Sequence, residues 1–292
     1  MLKRKFYRDC YLQTGWIPMQ PLTRPIELGD VCQIHHGYFQ SLMNITNINL
    51  VENIVVSEPI LLNPIDWCIR NGAQQTHCAT EHYTGYDSDN AGMGEAVPSS
   101  DHGHRTRQVI EFSQPGSFLY HGDKPMCRLI LNWGDLKDDA TLKLTQSHYS
   151  FRDIYIVTGV AITNQWGLAI AGGDGAQLEM SASANTTDFF ALMSHSSGRT
   201  EQCKDIATYE RSYEQGAYFF KAKKLVLSDK IHDEYLCRLL ENKSDLTDRS
   251  VANWFNNNLI NLVKSNEQNL ATTIGFFDWV DVSLDDLERL LV

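Results

Sequence analysis

The sequence has no run of 18 apolar residues, so it offers no candidate for a transmembrane helix. Its N-terminus is basic but lacks the apolar stretch of a signal peptide. The seven cysteines are an odd number without regular spacing, which argues against a disulfide framework. Together these absences predict a cytoplasmic resting state in a reducing compartment.

The chain also lacks a basic cluster of the size that nucleic acid requires. Its net charge is -11, so we expect no nucleic-acid partner. The charge is uneven along the chain. Residues 1–10 carry four Lys/Arg against Asp9, whereas residues 229–292 carry twelve Asp/Glu against six Lys/Arg. Such asymmetry is typical of interaction tails or of ends that pair with each other, and it also arises from scattered surface charge.

Motifs of nucleotide binding, zinc proteases and nucleophile elbows are missing. The glycines of 172–175 lie between two predicted strands, where a turn is expected, and they lack the Lys and Ser/Thr of a phosphate-binding loop. We therefore predict no cofactor, no catalytic residue and no enzymatic activity.

A Cys/His-rich stretch at 70–104 is the best candidate for metal. Thiolate and imidazole are zinc ligands, and a metal could order a long polar loop. The spacing fits no known finger, so exposed histidines and inert thiols are the simpler interpretation. The weak candidate ligands are Cys68, His77, Cys78, His82, His102 and His104.

The pattern of strands and helices predicts an α+β fold. Its strands form a twisted, mostly antiparallel sheet with a central β-meander over 154–184. Helices are expected near 3–12 and 136–148, and again after residue 228, where Ser283 with Asp286 resembles a capping box. We therefore predict a sheet-rich domain at 1–228 and a helical, acidic segment at 229–292 that could act as an autoinhibitory cap.

The most unusual feature is IYIVTGVAITNQWGLAIA at 154–171, part of a 20-residue stretch without charge. Alternation with period two predicts a hairpin that turns at Thr163–Gln165. Each arm has about the length of a membrane-spanning strand, and large apolar groups lie on one side. A hairpin buried on both faces of a sheet gives the same pattern. The membrane-inserting candidates are Ile154, Ile156, Val160, Ile162, Trp166, Leu168 and Ile170.

This hairpin resembles the strand pair in the second half of the gasdermin pore-forming domain. AYFFKAKKLVL at 217–227 resembles the family strand before the inhibitory region, and YLQTGWIPMQPLTRPIELGD is similar to the N-terminal start of bacterial gasdermins. The resemblance covers about 90 residues; the tail of about 64 residues is longer than the family's short inhibitory peptide, and the stretch at 70–104 has no counterpart.

The resemblance implies a latent pore-forming protein of bacterial defence and cell death. A protease would remove the C-terminal segment by cutting in an exposed connector. The protein would then form a homo-oligomer, only when activated, in an anionic lipid membrane. Cys10 is the lipidation candidate, and the cleavage-linker candidates are Glu241, Asn242, Lys243, Ser244 and Asp245.

Two other functions stay open. A non-enzymatic binding or scaffold domain could use the 70–104 loop, in which case deletion of the tail would unfold the protein. A metal-dependent enzyme could be built on the same loop, in which case the purified protein would contain zinc.

Overall fold

The structure is a computed structural model. It describes residues 2–19, 22, 24–35, 38–46, 51–84, 102–145, 154–182, 193, 199–229, 275, 277–283 and 286.

The described residues are mostly β. They form two α-helices, α1 (Leu2–Thr14) and α2 (Trp133–Thr145), and a short 3-10 helix at Pro64–Trp67. Neither α-helix is both long and apolar enough to cross a membrane. The strands are β1 (Ile17–Pro18), β2 (Asp30–His35), β3 (Tyr38–Asn44), β4 (Ile60–Leu61), β5 (Cys68–Asn71), β6 (Ala73–Thr84), β7 (His102–Phe112), β8 (Phe118–Asp123), β9 (Met126–Leu129), β10 (Ile154–Thr163), β11 (Gln165–Ala171), β12 (Ala176–Ala182), β13 (Arg199–Lys204), β14 (Ile206–Ser212), β15 (Gly216–Leu227) and β16 (Phe277–Asp281).

The chain divides into two compact units, each assembled from three segments. Unit 1 comprises Met1–Trp16, Leu61–Met126 and Ile162–Gly216, and unit 2 comprises Ile17–Ile60, Cys127–Ala161 and Ala217–Val292. The predicted boundary at residue 228 stays a prediction, because 230–274 lie outside the described residues.

Unit 1 contains two four-stranded sheets. We call the sheet β14-β11-β8-β5 the platform sheet and the sheet β13-β12-β7-β6 the hairpin sheet. Their facing sides share one apolar core, and α1 covers the platform sheet's other side through Phe6, whose ring centroid lies 5.4 Å from that of Phe118. The core residues are Ala73, Ile110, Phe112, Leu119, Ala169, Ala171, Ala176, Leu178, Met180 and Met193.

Unit 2 is built on an eight-stranded sheet with the central order β1-β15-β10-β2-β3. The sheet also includes β16 beside β15, β9 beside β10, and β4 beside β9. Leu136, Ala140 and Leu144 form the apolar side of α2 and belong to the same core as Ile154 and Ile156 of β10. The helices predicted near 3–12 and 136–148 are confirmed as α1 and α2, with small shifts of their ends.

The predicted fold class is wrong. The three strands of the expected meander belong to three different sheets, since β10 lies in the eight-stranded sheet, β11 in the platform sheet and β12 in the hairpin sheet. The described residues show no C-terminal helical tail: β16 is a strand that pairs with β15 from Lys223↔Asp281 to Leu227↔Phe277. Alternation identifies a strand and its buried side but not its neighbours, which explains the error.

The expected loop at 70–104 is wrong for 70–84 and 102–104, whereas 85–101 lie outside the described residues. Its ends are the long strands β6 and β7, which pair from Ala73↔Phe112 to Thr84↔His102. Polar residues and histidines with few large aliphatics suggested a surface excursion. An edge hairpin whose outer side is polar has the same composition, so composition alone could not separate the two.

Candidate functional site

The uncharged stretch at 154–171 is not a hairpin. β10 lies between β15 and β2, and β11 lies between β14 and β8. At the predicted turn, the backbone N–H of Asn164 donates to the Asp123 carbonyl over 3.1 Å, and Gln165 pairs with Asp123. The chain therefore leaves one sheet and enters another at this point.

The predicted inserting residues fall on two central strands. Of the seven, only Ile162 is half-buried and the others are buried. Charge is missing because both faces of these strands are covered, which was the alternative interpretation of the pattern. The two arms therefore do not form one hairpin that could detach from the domain and insert into a membrane as a unit.

The hairpin sheet has two features that were predicted for 154–171, namely antiparallel strand pairs and strands long enough to span a membrane. It consists of two antiparallel pairs, β6–β7 and β12–β13, and β7 pairs with β12 from Ala176↔Phe112 to Ala182↔Thr106. β6 has 12 residues and β7 has 11, about the length of a strand that crosses a bilayer. β12 and β13 are joined by residues 183–198, whose single charged residue is Asp188.

The two sides of the inner strands β7 and β12 differ sharply. On the side facing the platform sheet, Ile110, Phe112, Leu178 and Met180 are at most 1% exposed. The opposite side is polar and its groups bind across the strands: Gln177 Nε2 donates to Glu111 Oε1 over 2.6 Å, and Arg107 forms an ion pair with Glu179. This alternation of apolar and polar residues is that of a membrane β-barrel strand.

The edges of the sheet are its outer strands, β6 and β13. Residues 200–204 of β13 and residues 74–76 of β6 are exposed. Since each neighbouring pair is antiparallel, the four strands alternate in direction, and β6 of one copy would lie antiparallel to β13 of the next. A second copy could thus extend the sheet without changing its pattern.

One polar side chain lies on the apolar side of the hairpin sheet. Gln108 of β7 is fully buried, and neither its Nε2 nor its Oε1 has a hydrogen-bond partner within the described part of the chain. It pairs with Met180 in β12. A buried amide without partners destabilises the packed sheets.

Two of the basic side chains of α1 are exposed in the uncut chain, and a third is bound to the platform sheet. Lys3 Nζ donates to Glu210 Oε1 of β14 over 2.8 Å, which fixes the start of the helix on the platform sheet. Arg4 and Arg8 are exposed.

Cys10, the lipidation candidate, lies on the buried side of α1. Burial raises the pKa of its thiol to about 12. Its Sγ lies 3.8 Å from Thr14 Oγ1 and 3.8 Å from the Trp16 carbonyl oxygen. Acylation stays a prediction, and it requires α1 to leave its place on the platform sheet.

The predicted metal ligands lie on three strands that belong to two sheets. Cys68 lies on β5 of the platform sheet, whereas His77, Cys78 and His82 lie on β6, and His102 and His104 on β7. His82 and His104 are backbone partners across the β6–β7 pair. Within the described residues there is no group of three His, Cys, Asp or Glu that could hold a metal ion.

The described residues from 277 to 286 are held within unit 2 by polar contacts as well as strand pairing. Lys224 Nζ donates to Asp286 Oδ1 over 2.6 Å, and Trp279 Nε1 donates to Thr141 Oγ1 of α2 over 2.8 Å. Burial by itself raises the pKa of Asp286, but hydrogen bonds from Lys224 and Ser283 lower it below its usual value overall.

The predicted capping box is present. The Ser283 backbone N–H and hydroxyl both donate to Asp286 Oδ2, and the Asp286 backbone N–H donates to Ser283 Oγ over 3.3 Å. The cleavage-linker candidates at 241–245 lie outside the described residues.

No family model matches the chain, and a search of the curated proteins finds no match. The similarity of its strands to gasdermins therefore stays a prediction, and the function has to be inferred from the geometry of the two units.

Proposed function

We propose that this chain is a latent pore-forming protein that inserts the two hairpins of its hairpin sheet into an anionic membrane. Proteolytic removal of the C-terminal segment activates it, and activated copies assemble into a homo-oligomer. The observation that carries this proposal is the pair of adjacent hairpins in a single sheet, whose inner strands β7 and β12 are apolar on one side and polar on the other, and whose outer strands β6 and β13 are the sheet's edges among the described residues.

Insertion exchanges one apolar surrounding for another. In unit 1 the platform sheet covers Ile110, Phe112, Leu178 and Met180, and in a membrane lipid chains would cover the same side chains. The polar side, with the Gln177–Glu111 bond and the Arg107–Glu179 pair, would then line an aqueous lumen.

Assembly follows from backbone hydrogen bonding. In lipid every backbone N–H and C=O must be paired within the protein, so an open sheet edge is excluded and only a closed barrel is stable. When β6 of each copy pairs with β13 of the next copy, the sheets of many copies join and close into a barrel. Pore formation thus requires many copies, while the resting chain keeps its sheet on the platform.

The C-terminal segment supplies the control step. Its strand β16 covers the edge of β15 from Lys223 to Leu227, and Asp286 ties it to Lys224. Removing the segment takes away acidic residues and uncovers this edge. The resting protein would be cytoplasmic and the activated protein membrane-bound.

A second candidate is a non-enzymatic binding or scaffold domain. It is favoured by the position of β10 and β11 as buried central strands, and by the integration of β16 into the sheet of unit 2. If β16 is a structural strand, its loss unfolds unit 2 instead of activating the protein.

Controlled cleavage separates the two candidates. Residues 241–245 are replaced by the recognition sequence of a site-specific protease, and the cut chain is added to dye-filled vesicles of phosphatidylserine and phosphatidylcholine. The pore proposal expects dye release that requires both the cut and the anionic lipid. The matched control carries a scrambled recognition sequence and releases no dye.

Two results would contradict the pore proposal. One is a folded N-terminal fragment, released from the cut chain, that leaves vesicles intact at all concentrations. The other is aggregation of the cut chain with loss of its near-ultraviolet circular dichroism, which is the outcome that the scaffold candidate predicts.

A further inference from the structure

Unit 2 contains a cavity of about 350 Å³ that is lined by the segment before β2 and by the strands β2 and β3. The segment contributes Arg24, Ile26 and Glu27, and the strands contribute Cys32 and Met43. Ligand pockets in proteins start at about 300 Å³ and combine an apolar lining with a few polar groups. The cavity is therefore large enough for a small molecule.

The wall formed by residues 24–29 is held in place by backbone hydrogen bonds. The Ile26 N–H donates to the Ala217 carbonyl oxygen of β15 over 2.9 Å. The Glu27 N–H donates to Asp30 Oδ2 over 2.9 Å. Because these bonds attach the segment to β15 and to the start of β2, the cavity is preformed and binding a ligand requires little ordering of the chain.

Two of the polar residues that line the cavity are engaged with the protein itself. Asp30 Oδ1 accepts from Asn44 Nδ2 over 2.9 Å, and Asp30 Oδ2 accepts from the Glu27 N–H. Asn44 Oδ1 in turn accepts from the Thr46 N–H over 2.8 Å. These two side chains shape the cavity, and their hydrogen-bonding groups are occupied.

Arg24 and Glu27 are exposed and line the same cavity. Within the described part of the chain, neither side chain takes part in a salt bridge or hydrogen bond. The charge of Arg24 reaches the buried Cys32 thiol: burial raises the pKa of this thiol to about 12, the charge of Asp30 adds to the rise, and the charge of Arg24 opposes it. The cavity thus offers a ligand one cation and one anion.

The strand side of the cavity is apolar and irregular. Val31 pairs with Met43 and Cys32 pairs with Ser41, so β3 has one extra residue, Leu42, at this point. Such a bulge bends a strand and is common beside binding sites. Leu42 and Met43 both line the cavity and are half-buried, so they offer a surface to a hydrocarbon group.

We propose that this cavity binds a free α-amino acid with an apolar side chain. The Arg24 guanidinium pairs with the carboxylate, the Glu27 carboxylate accepts from the ammonium group, and Ile26, Leu42 and Met43 cover the side chain. A ligand that carries only one of the two charges would leave the other charge of the protein without a partner. The inference is independent of the proposed pore, because the hairpin sheet belongs to unit 1.

The test is a ligand-observed nuclear magnetic resonance titration of the full-length chain with L-leucine, L-methionine and L-phenylalanine. Two analogues of leucine each lack one charged group: isoamylamine lacks the carboxylate, and isocaproate lacks the ammonium group. We expect each analogue to bind about 10-fold more weakly than leucine, because one charge-assisted hydrogen bond is lost.

Two variants assign each charge of the ligand to one residue. Arg24→Gln should weaken the binding of leucine about 10-fold without weakening that of isoamylamine, whereas Glu27→Gln should weaken leucine to a similar extent without weakening isocaproate. The matched controls are Arg128→Gln and Glu58→Gln, because both residues are exposed in unit 2 and lie outside the cavity lining. The controls should bind leucine like the unaltered chain, and thermal unfolding of all four variants checks that the fold is kept.

Three results would overturn the proposal. The first is the absence of saturable binding for all three amino acids. The second is equal affinity for leucine and its two analogues, or equal loss in the variants and their controls. The third is tighter binding of phosphoethanolamine than of leucine, which would assign the cavity to a lipid headgroup.

Discussion

Replacing Gln108 with leucine should stabilise the resting protein. Gln108 is 0% exposed on the side of β7 that faces the platform sheet, and among the described residues neither amide atom has a partner. Leucine has a similar size and needs no hydrogen bond, so Gln108→Leu removes the unpaired donor and acceptor while keeping the volume.

The expected gain follows from the cost of a buried, unpaired amide. Protein mutations put that cost at about 1–3 kcal/mol. For a chain of this size, each kcal/mol raises the melting temperature by about 2–4 °C. Stabilising the packed sheets should also make the proposed insertion harder, so Gln108→Leu in the cleavable chain should release dye more slowly.

Urea unfolding followed by tryptophan fluorescence measures the change. The matched control is Gln74→Leu on β6, whose side chain is exposed and whose replacement should alter the free energy of unfolding by less than about 0.5 kcal/mol. A destabilisation by Gln108→Leu would refute the reasoning, because it would mean that the amide is satisfied in the folded protein.

Three further predictions concern packing, titration and thiol access. Gly167→Ala should destabilise unit 1 by about 1–3 kcal/mol in urea unfolding, because a Cβ there would lie 2.6 Å from the Met193 carbonyl oxygen; Gly134→Ala, with nothing within 4 Å, is the control and should not destabilise. The lowered pKa of Asp286 means that its contribution to stability is present above the pKa of the unfolded chain and is lost as pH falls through the folded value. The destabilisation by Asp286→Asn should therefore be largest near neutral pH and shrink as pH falls below about 4. A destabilisation that does not shrink in acid would contradict this. The thiol of Cys10, with its pKa raised to about 12, should react with iodoacetamide at pH 8 only after unfolding. Peptide mass spectrometry measures the labelling. Rapid labelling of the native chain would contradict the prediction and show that α1 opens readily.

Local elements could be predicted well from the sequence. The basic, amphipathic start and the Asp135-led segment indicated α1 and α2, and alternating β-branched residues indicated β10, β11 and β15. The Ser283–Asp286 box was also visible, because capping depends on residues three positions apart. These features are decided by contacts within a few residues along the chain.

Strand partners could not be predicted in the same way. The uncharged stretch at 154–171 suggested a mobile ribbon, yet its two arms are central strands of different sheets, and the absence of charge reflects burial on both faces. The strands whose apolar and polar sides are described, β7 and β12, were not considered for membrane insertion because they carry charged residues. The sequence does show polar and apolar residues alternating at Arg107–Phe112 and Ala176–Met180. Both segments contain charged residues, so a search for uncharged segments does not find them.

The amino-acid sequence by itself determined the elements that have a clear period or cap, among them α1, α2, β10 and β11, because period and capping act locally. Only the tertiary structure decided which strands share a sheet, which side of each is covered, and that Gln108 is buried without a partner among the described residues. The reason is that burial depends on residues far apart in the chain, and neither period nor composition specifies which surfaces meet.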